Sequence, residues 1–220
     1  LGSSASAIVA GVTLARALIG DADVLGRQEI LEIGSHMEGH PDNVAPAVFG
    51  GATVSWMNEE TSEVGSVRLT PPEGIDPVAF IPDFELRTAA ARAALPATVA
   101  HGDASFNVAR GALLAAILSG GAQASGGVNL HALLMEATRD RLHQEQRRAA
   151  MEPSLALVDW LRGAGFAAVV SGAGPTVLSL EKVGADIRRD AAGAGWRVVP
   201  LAVAASGVQI TRGSLAKVEF

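Results

Sequence analysis

The chain has 220 residues, enough for one large domain or two small ones, and its 49% hydrophobic content is ample for a packed core. A net charge of −6, with no cluster of Lys and Arg, leaves no electrostatic footprint for nucleic acid. The absence of Cys excludes disulfides, a thiolate nucleophile and any Cys-based metal site, and suits a cytoplasmic protein.

Leu1–Ala15 and the 18 residues Gly163–Leu180 are both charge-free. Four glycines, a proline and two serines interrupt the second, so no membrane span is expected, and the first lacks the basic start of a signal peptide. Leu1-Gly2-Ser3-Ser4 reads as the middle of a motif, and the sequence is expected to be part of a longer protein.

Gly2-Ser3-Ser4 precedes a helical pattern with Ile8, Val12, Ala15 and Ile19 on one face. Ser3 or Ser4 can cap that helix. A small-residue turn opening a helix offers free N–H groups and the positive end of the dipole, which suits phosphate; a plain capped helix has the same pattern. Gly20–Gly26 is a turn, and Arg27–Met37 a second helix carrying Glu32. Glu32 lies eleven positions before Asn43. Such a carboxylate can share a Mg²⁺ with nucleotide phosphates, or be a solvated helix-face Glu.

Glu38-Gly39-His40-Pro41-Asp42-Asn43-Val44-Ala45-Pro46 is the densest chemistry in the chain. Two acids, an imidazole and an amide fall within six residues, on backbone restricted by two prolines. This composition describes a shaped binding loop, and equally an ordinary polar turn. After it, Ala47–Trp56 is expected to be a strand entered through Gly50-Gly51, and Ser66–Leu69 another. Thr70–Pro77, rich in Pro and Gly, is the expected linker.

Val78–Ile81 is a short strand, and Ala89–Leu95 an alanine-rich helix with Thr88 and Arg92 on one face. An arginine in a pocket clamps carboxylate or phosphate; on a surface it is half of an ion pair. Helices are expected over Asp103–Ser119, Leu130–Arg148, Pro153–Arg162 and Asp186–Ala194, and strands over Ala167–Val170, Thr176–Leu180, Trp196–Ala204 and Val208–Thr211. Ser171-Gly172-Ala173-Gly174-Pro175 is a turn between two strands, so it is not a dinucleotide fingerprint, which needs strand then helix.

Leu-Gly-Ser-Ser-Ala at the start resembles the end of the P-x-x-x-G-L-G-S-S-A phosphate loop of the GHMP kinase superfamily. Glu38–Pro46 is similar to the bacterial homoserine kinases of that superfamily, and Ser171–Thr176 resembles its third glycine motif. Pro82–Thr88 and Asp140–Gln144 also read like homoserine kinase. The resemblance implies an α+β protein. Its parts would be the remainder of an N-terminal left-handed β-α-β domain over residues 1–72 and a C-terminal ferredoxin-like domain over 73–220, with the active site between them.

It further implies transfer of the γ-phosphoryl of ATP to the hydroxyl of L-homoserine, a step of threonine biosynthesis, with Mg²⁺. Leu1, Gly2, Ser3, Ser4 and Ala5 would bind the ATP phosphates, and Ser4 and Glu32 the metal. His40, Asp42, Asn43, Thr88, Arg92, Arg147, Gly172 and Gly174 would surround the substrate, with Asn43, Arg92 and Arg147 catalytic. Arg147 departs from the family's Pro-Tyr-Arg, standing after Glu145-Gln146. Related kinases place Asp where Asn43 stands, and an amide cannot accept a proton. Asn43 is therefore expected to orient the hydroxyl, leaving Asp42 and His40 as candidate bases. Another small-molecule kinase of the superfamily, or a chain that binds ligand without turnover, are the alternatives. A homodimer is compatible with the resemblance; nucleic acid and membrane are not expected partners.

Overall fold

A computed structural model describes residues 2–19, 26–86, 88–121 and 125–211. The chain divides into two compact units: one holds Gly2–Leu69 with the chain from Ala204 onward, the other Thr70–Val203.

In the first unit, α1 (Ser3–Ile19), α2 (Arg27–Glu38) and α3 (Val44–Phe49) share a core built on Ala5, Val9, Ile30, Leu31, Val44, Ala45 and Val48. The buried stripe of α1 is Ala5, Val9 and Thr13, four residues apart. This corrects the expected stripe, whose last member Ile19 is 63% exposed. Small side chains win because the helices pack closely: a Cβ on Gly34 would stand 2.8 Å from Val44 Cγ1. Gly39, in the left-handed region at φ 87°, ends α2 by returning its N–H to Ser35.

Val44–Phe49 is helix, so the strand expected over Ala47–Trp56 begins only at Ala52. Pro46 is tolerated because first-turn N–H groups lack helical partners in any case. Burial of Val44, Ala45 and Val48 follows the helical period. The antiparallel strands β1 (Ala52–Met57) and β2 (Val64–Leu69) then form a hairpin from Ala52 opposite Leu69 to Met57 opposite Val64. Asn58 Oδ1 accepts the N–H groups of Glu60 and Thr61 and shapes its turn.

The chain after Val203 belongs to this unit, and its described part forms no strand, contrary to the expected Val208–Thr211. It runs against residues 47–51: Gly51 donates to Ala204 O at 2.7 Å, and Val208 to Ala47 O at 2.8 Å. Backbone meets backbone there. A Cβ on Gly50 would lie 2.4 Å from the Ser206 carbonyl carbon, and one on Gly207 2.2 Å from Val48 O.

The second unit centres on a sheet ordered β4 (Ala168–Val170), β5 (Val177–Ser179), β3 (Val78–Ile81), β6 (Arg197–Pro200), every pairing antiparallel. Val78, Ala79 and Phe80 of the internal strand β3 are all buried, as an apolar run without alternation requires of a strand covered on both faces. Helices α4 (Thr88–Ala93), α5 (His101–Leu118), α6 (Leu130–Ala137) and α7 (Glu152–Gly163) lie between β3 and β4, and α8 (Ala185–Gly193) between β5 and β6. This strand-helix-strand-strand-helix-strand order is the ferredoxin-like arrangement. One core joins Phe80, Leu155, Leu161 and Val177; another joins Ile117, Leu134, Ala137 and Ala167.

The expected helix Leu130–Arg148 stops at Ala137. Thr138 Oγ1 donates to Leu134 O, and the Asp140 carboxylate then accepts the N–H groups of Leu142, His143 and Gln144. A side chain that captures three successive backbone donors offers a turn in place of the helical ladder. A 3₁₀ helix, Glu145–Ala150, follows.

Candidate functional site

In the first unit the opening turn meets the polar loop. Gly2 has φ 59°, and a Cβ there would stand 3.4 Å from Asn43 Oδ1. Its carbonyl accepts Ser6 N–H at 2.9 Å, which starts α1 and leaves the N–H groups of Ser3, Ser4 and Ala5 without helical partners. Ser4 Oγ donates to Glu38 Oε2 at 2.7 Å. Glu32 is engaged elsewhere, its Oε1 accepting from Gln28, whose amide also reaches Val64 O. Six residues of helix separate Glu32 from Glu38, about 9 Å along the axis. The structure therefore sets Glu38, and not Glu32, beside Ser4. Leu1 lies outside the described residues.

In the loop, His40 Nδ1 meets Asp42 Oδ1 at 2.5 Å, and Asn43 Nδ2 donates to the same oxygen at 3.3 Å. The Asp42 side chain is 70% exposed. Asn43 immediately precedes α3, its amide nitrogen on Asp42 and its amide oxygen beside Gly2.

In the second unit, Arg147 is buried, donating from Nε to Ala91 O at 3.2 Å and from Nη1 to Gly172 O at 3.1 Å. Burial lowers its pKa; the Asp140 carboxylate raises it, and the neighbouring Arg92 lowers it. An arginine so placed stays cationic at every working pH. Arg92 is exposed, and its side chain has no hydrogen bond or ion pair with another described residue. Two guanidiniums thus influence each other with one carboxylate nearby, and that carboxylate is committed to backbone N–H groups.

The glycine turn shapes the carbonyl that Arg147 uses. Gly172 and Gly174 have φ 60° and 84°, and Ser171 N–H bonds Thr176 O at 2.8 Å. A Cβ on Gly174 would meet Met151 Sδ at 2.7 Å, whereas none of the neighbouring atoms would crowd one on Gly172. Thr88 opens α4; its side chain lies outside the described residues.

Of the residues singled out by sequence, Gly2, Ser3, Ser4, Ala5, His40, Asp42 and Asn43 share the first unit, and Arg92, Arg147, Gly172 and Gly174 gather in the second. Among the described residues no three His, Cys, Asp or Glu side chains cluster as a metal cage, and no helix is long and apolar enough to cross a membrane. Sequence reasoning missed Glu38 as the partner of Ser4, although it opens the most distinctive string in the chain. It placed Asp140 within the Asp140–Gln144 resemblance but gave it no role, since the residue stood inside an apparent helix.

Comparison with known proteins finds two family models on the chain. Residues 1–51 match the family described as GHMP kinases N terminal domain, and residues 114–192 match GHMP kinases C terminal. A homoserine kinase of Streptomyces avermitilis is 44% identical over 212 residues, covering 96% of this chain and 66% of its own length. One of Corynebacterium kroppenstedtii is 41% identical, covering 98% of this chain and 68% of its own. The chain thus spans about two thirds of the relatives it matches. The crystal structure of homoserine kinase from Cytophaga hutchinsonii superposes with a TM-score of 0.77 at 23% identity, covering 94% of this chain and 67% of that one, which supports the fold. A putative homoserine kinase from Listeria monocytogenes gives 0.68 at 29% identity, covering 97% and 70%. The chain belongs to the GHMP kinase family, on its homoserine kinase branch.

Proposed function

We propose that this chain carries the machinery for moving the γ-phosphoryl of ATP to the side-chain hydroxyl of L-homoserine, giving O-phospho-L-homoserine for threonine biosynthesis in the cytoplasm. The observation that carries the reading is the 41–44% identity to homoserine kinases along nearly the whole chain. Within each unit, the residues singled out have chemistry suited to one of the substrate groups.

The unpaired N–H groups opening α1 suit the phosphates of ATP. Ser4 and Glu38 are a hydroxyl and a carboxylate 2.7 Å apart, the hard oxygen donors that Mg²⁺ takes alongside phosphate oxygens. Bound there, Mg²⁺ would neutralise charge on the phosphates. Arg92 and Arg147 are matched to an anion, either the amino-acid carboxylate or the transferring phosphoryl group. Phosphoryl transfer asks mainly for positioning and charge stabilisation, which these groups provide.

Asn43 orients the acceptor hydroxyl and takes no proton. Asp42 Oδ1 is already shared by His40 and Asn43. In this reading the hydroxyl proton leaves through phosphate or water, with the exposed Asp42 carboxylate and His40 as the alternative bases.

A panel of L-homoserine, L-serine and R-mevalonate with ATP tests the reading. Homoserine should be phosphorylated with the highest kcat/KM. Preference for mevalonate would move the chain to another branch of the family, and no turnover of any alcohol would make it a ligand-binding chain only.

A further inference from the structure

In the second unit, one polar knot precedes Arg147. Asn107 of α5 donates from Nδ2 to Asp140 Oδ1 at 2.7 Å and accepts Arg141 N–H at 2.9 Å through its own Oδ1. Asp140 then gathers the N–H groups of residues 142–144. Gln144, at the end of that turn, accepts Val170 N–H at 2.8 Å, just ahead of the glycine turn. Three residues further, Arg147 holds Gly172 O and Ala91 O. The same α5 face carries Phe106, over which the guanidiniums of Arg110 and Arg141 lie at 3.5 and 3.9 Å from the ring centroid. Arg110 also binds Glu136, and Arg141 binds Asp103.

Among the described residues the knot is turned inward: the Asp140 carboxylate accepts from Asn107 and three backbone N–H groups, and the Arg110 and Arg141 guanidiniums face acids and the ring. Its effect is to fix where the helix ends and at what angle the chain enters the Glu145–Ala150 turn. Without it, residues 138–148 have the composition to continue as helix, which would carry Arg147 away from Ala91 and Gly172. We propose that Asp140, held by Asn107, is the positioning residue for Arg147. In this reading it sets the site for the carboxylate- or phosphate-bearing group, working through Arg147 and touching no substrate itself. The role of Arg147 toward substrate rests on the function proposed above; the positioning of Arg147 does not.

The test labels arginines with phenylglyoxal and follows the Arg147 peptide by mass spectrometry, in wild type, Asp140→Ala, Asp140→Asn and Asn107→Ser. Circular dichroism checks that each variant is folded. Arg147 should react slowly in wild type, several-fold faster in Asp140→Ala, and at an intermediate rate in the two milder variants. Arg189 on α8 should be unchanged throughout. Equal Arg147 labelling in wild type and any folded variant of Asp140 overturns the proposal, as does a parallel rise at Arg189. If Asp140→Ala does not fold, Asp140→Asn and Asn107→Ser decide. A separate arm adds L-homoserine and ATP to wild type. Failure of substrates to protect Arg147 counts against its substrate role, and leaves the labelling result on Asp140 standing.

Discussion

Ser4 Oγ donates to Glu38 Oε2 at 2.7 Å, joining the first turn of α1 to the last residue of α2 across 34 positions of sequence. The hydroxyl sits where unpaired N–H groups favour phosphate, and the carboxylate brings the countercharge a metal needs. Glu38→Gln should therefore weaken Mg²⁺ binding about 10–100-fold, a range seen even for groups one shell removed from a metal. Glu32→Gln should leave it near wild type. Isothermal titration of Mg²⁺ in the presence of a non-hydrolysable ATP analogue measures both. Loss in Glu32→Gln with retention in Glu38→Gln would restore Glu32 as the ligand.

Arg147 is expected to resist replacement by Lys. Its Nε and Nη1 reach two carbonyls at once, a planar fork that a single ammonium cannot copy. Arg147→Lys and Arg147→Ala should both lower kcat/KM for homoserine by about 10²–10³-fold, the usual size for a group that stabilises developing charge. A steady-state comparison checks this, and a Lys variant with wild-type kinetics would remove Arg147 from the chemistry.

Backbone crossing predicts the most fragile glycines. Gly50 has φ 73° and ψ −178°, a region nearly closed to other residues, and Ser206 leaves no room for a Cβ. Gly50→Ala should cost at least about 1–3 kcal/mol. Gly11, mid-helix with open space around it, gives the opposite sign: Gly11→Ala should stabilise by about 0.5–1 kcal/mol. Urea melts of the two variants give the comparison.

Asp140 ties stability to pH. Burial pushes its carboxyl up, but bonds from Gln144 N–H, the Asn107 amide, His143 N–H and Leu142 N–H outweigh that and hold it below the usual Asp value. A folded-state pKa below the unfolded one gives stability that is complete above about pH 5 and fades as pH falls through the folded value. Wild type should exceed Asp140→Asn by about 1.5–3 kcal/mol near neutrality, the scale of charged hydrogen bonds, and the gap should narrow as the pH falls through the lowered folded-state value of the carboxyl. Chemical melts at several pH values test this; a gap that widens in acid contradicts it.

The chemistry-bearing loops were more legible than the elements around them. Glycine and proline act on their own residue's backbone, so the loop at Glu38–Pro46, the Gly50-Gly51 entry to a strand and the turn at Ser171–Pro175 were marked in the sequence, whereas the Gly39 cap and the crossing at Gly50 were not. Phe80 and its neighbours, an apolar run too short for a helix, gave β3 with its bounds. The failures have one cause, a distant partner. Val44–Phe49 is helix because its apolar positions face Val9 and Gly34 across the core. The helix from Leu130 stops because Asn107, 33 residues before Asp140, helps hold the turn. Glu38 became visible as the partner of Ser4 only when α1 and α2 were packed together.

The most direct measurement follows radiolabel from [γ-³²P]ATP into L-homoserine, comparing wild type with the Ser4→Ala/Glu38→Gln double variant at fixed Mg²⁺. Wild type should yield labelled O-phospho-L-homoserine, and the double variant at least about a hundredfold less, since Ser4 and Glu38 together carry the charge stabilisation asked of this site. Equal label from both proteins would contradict it.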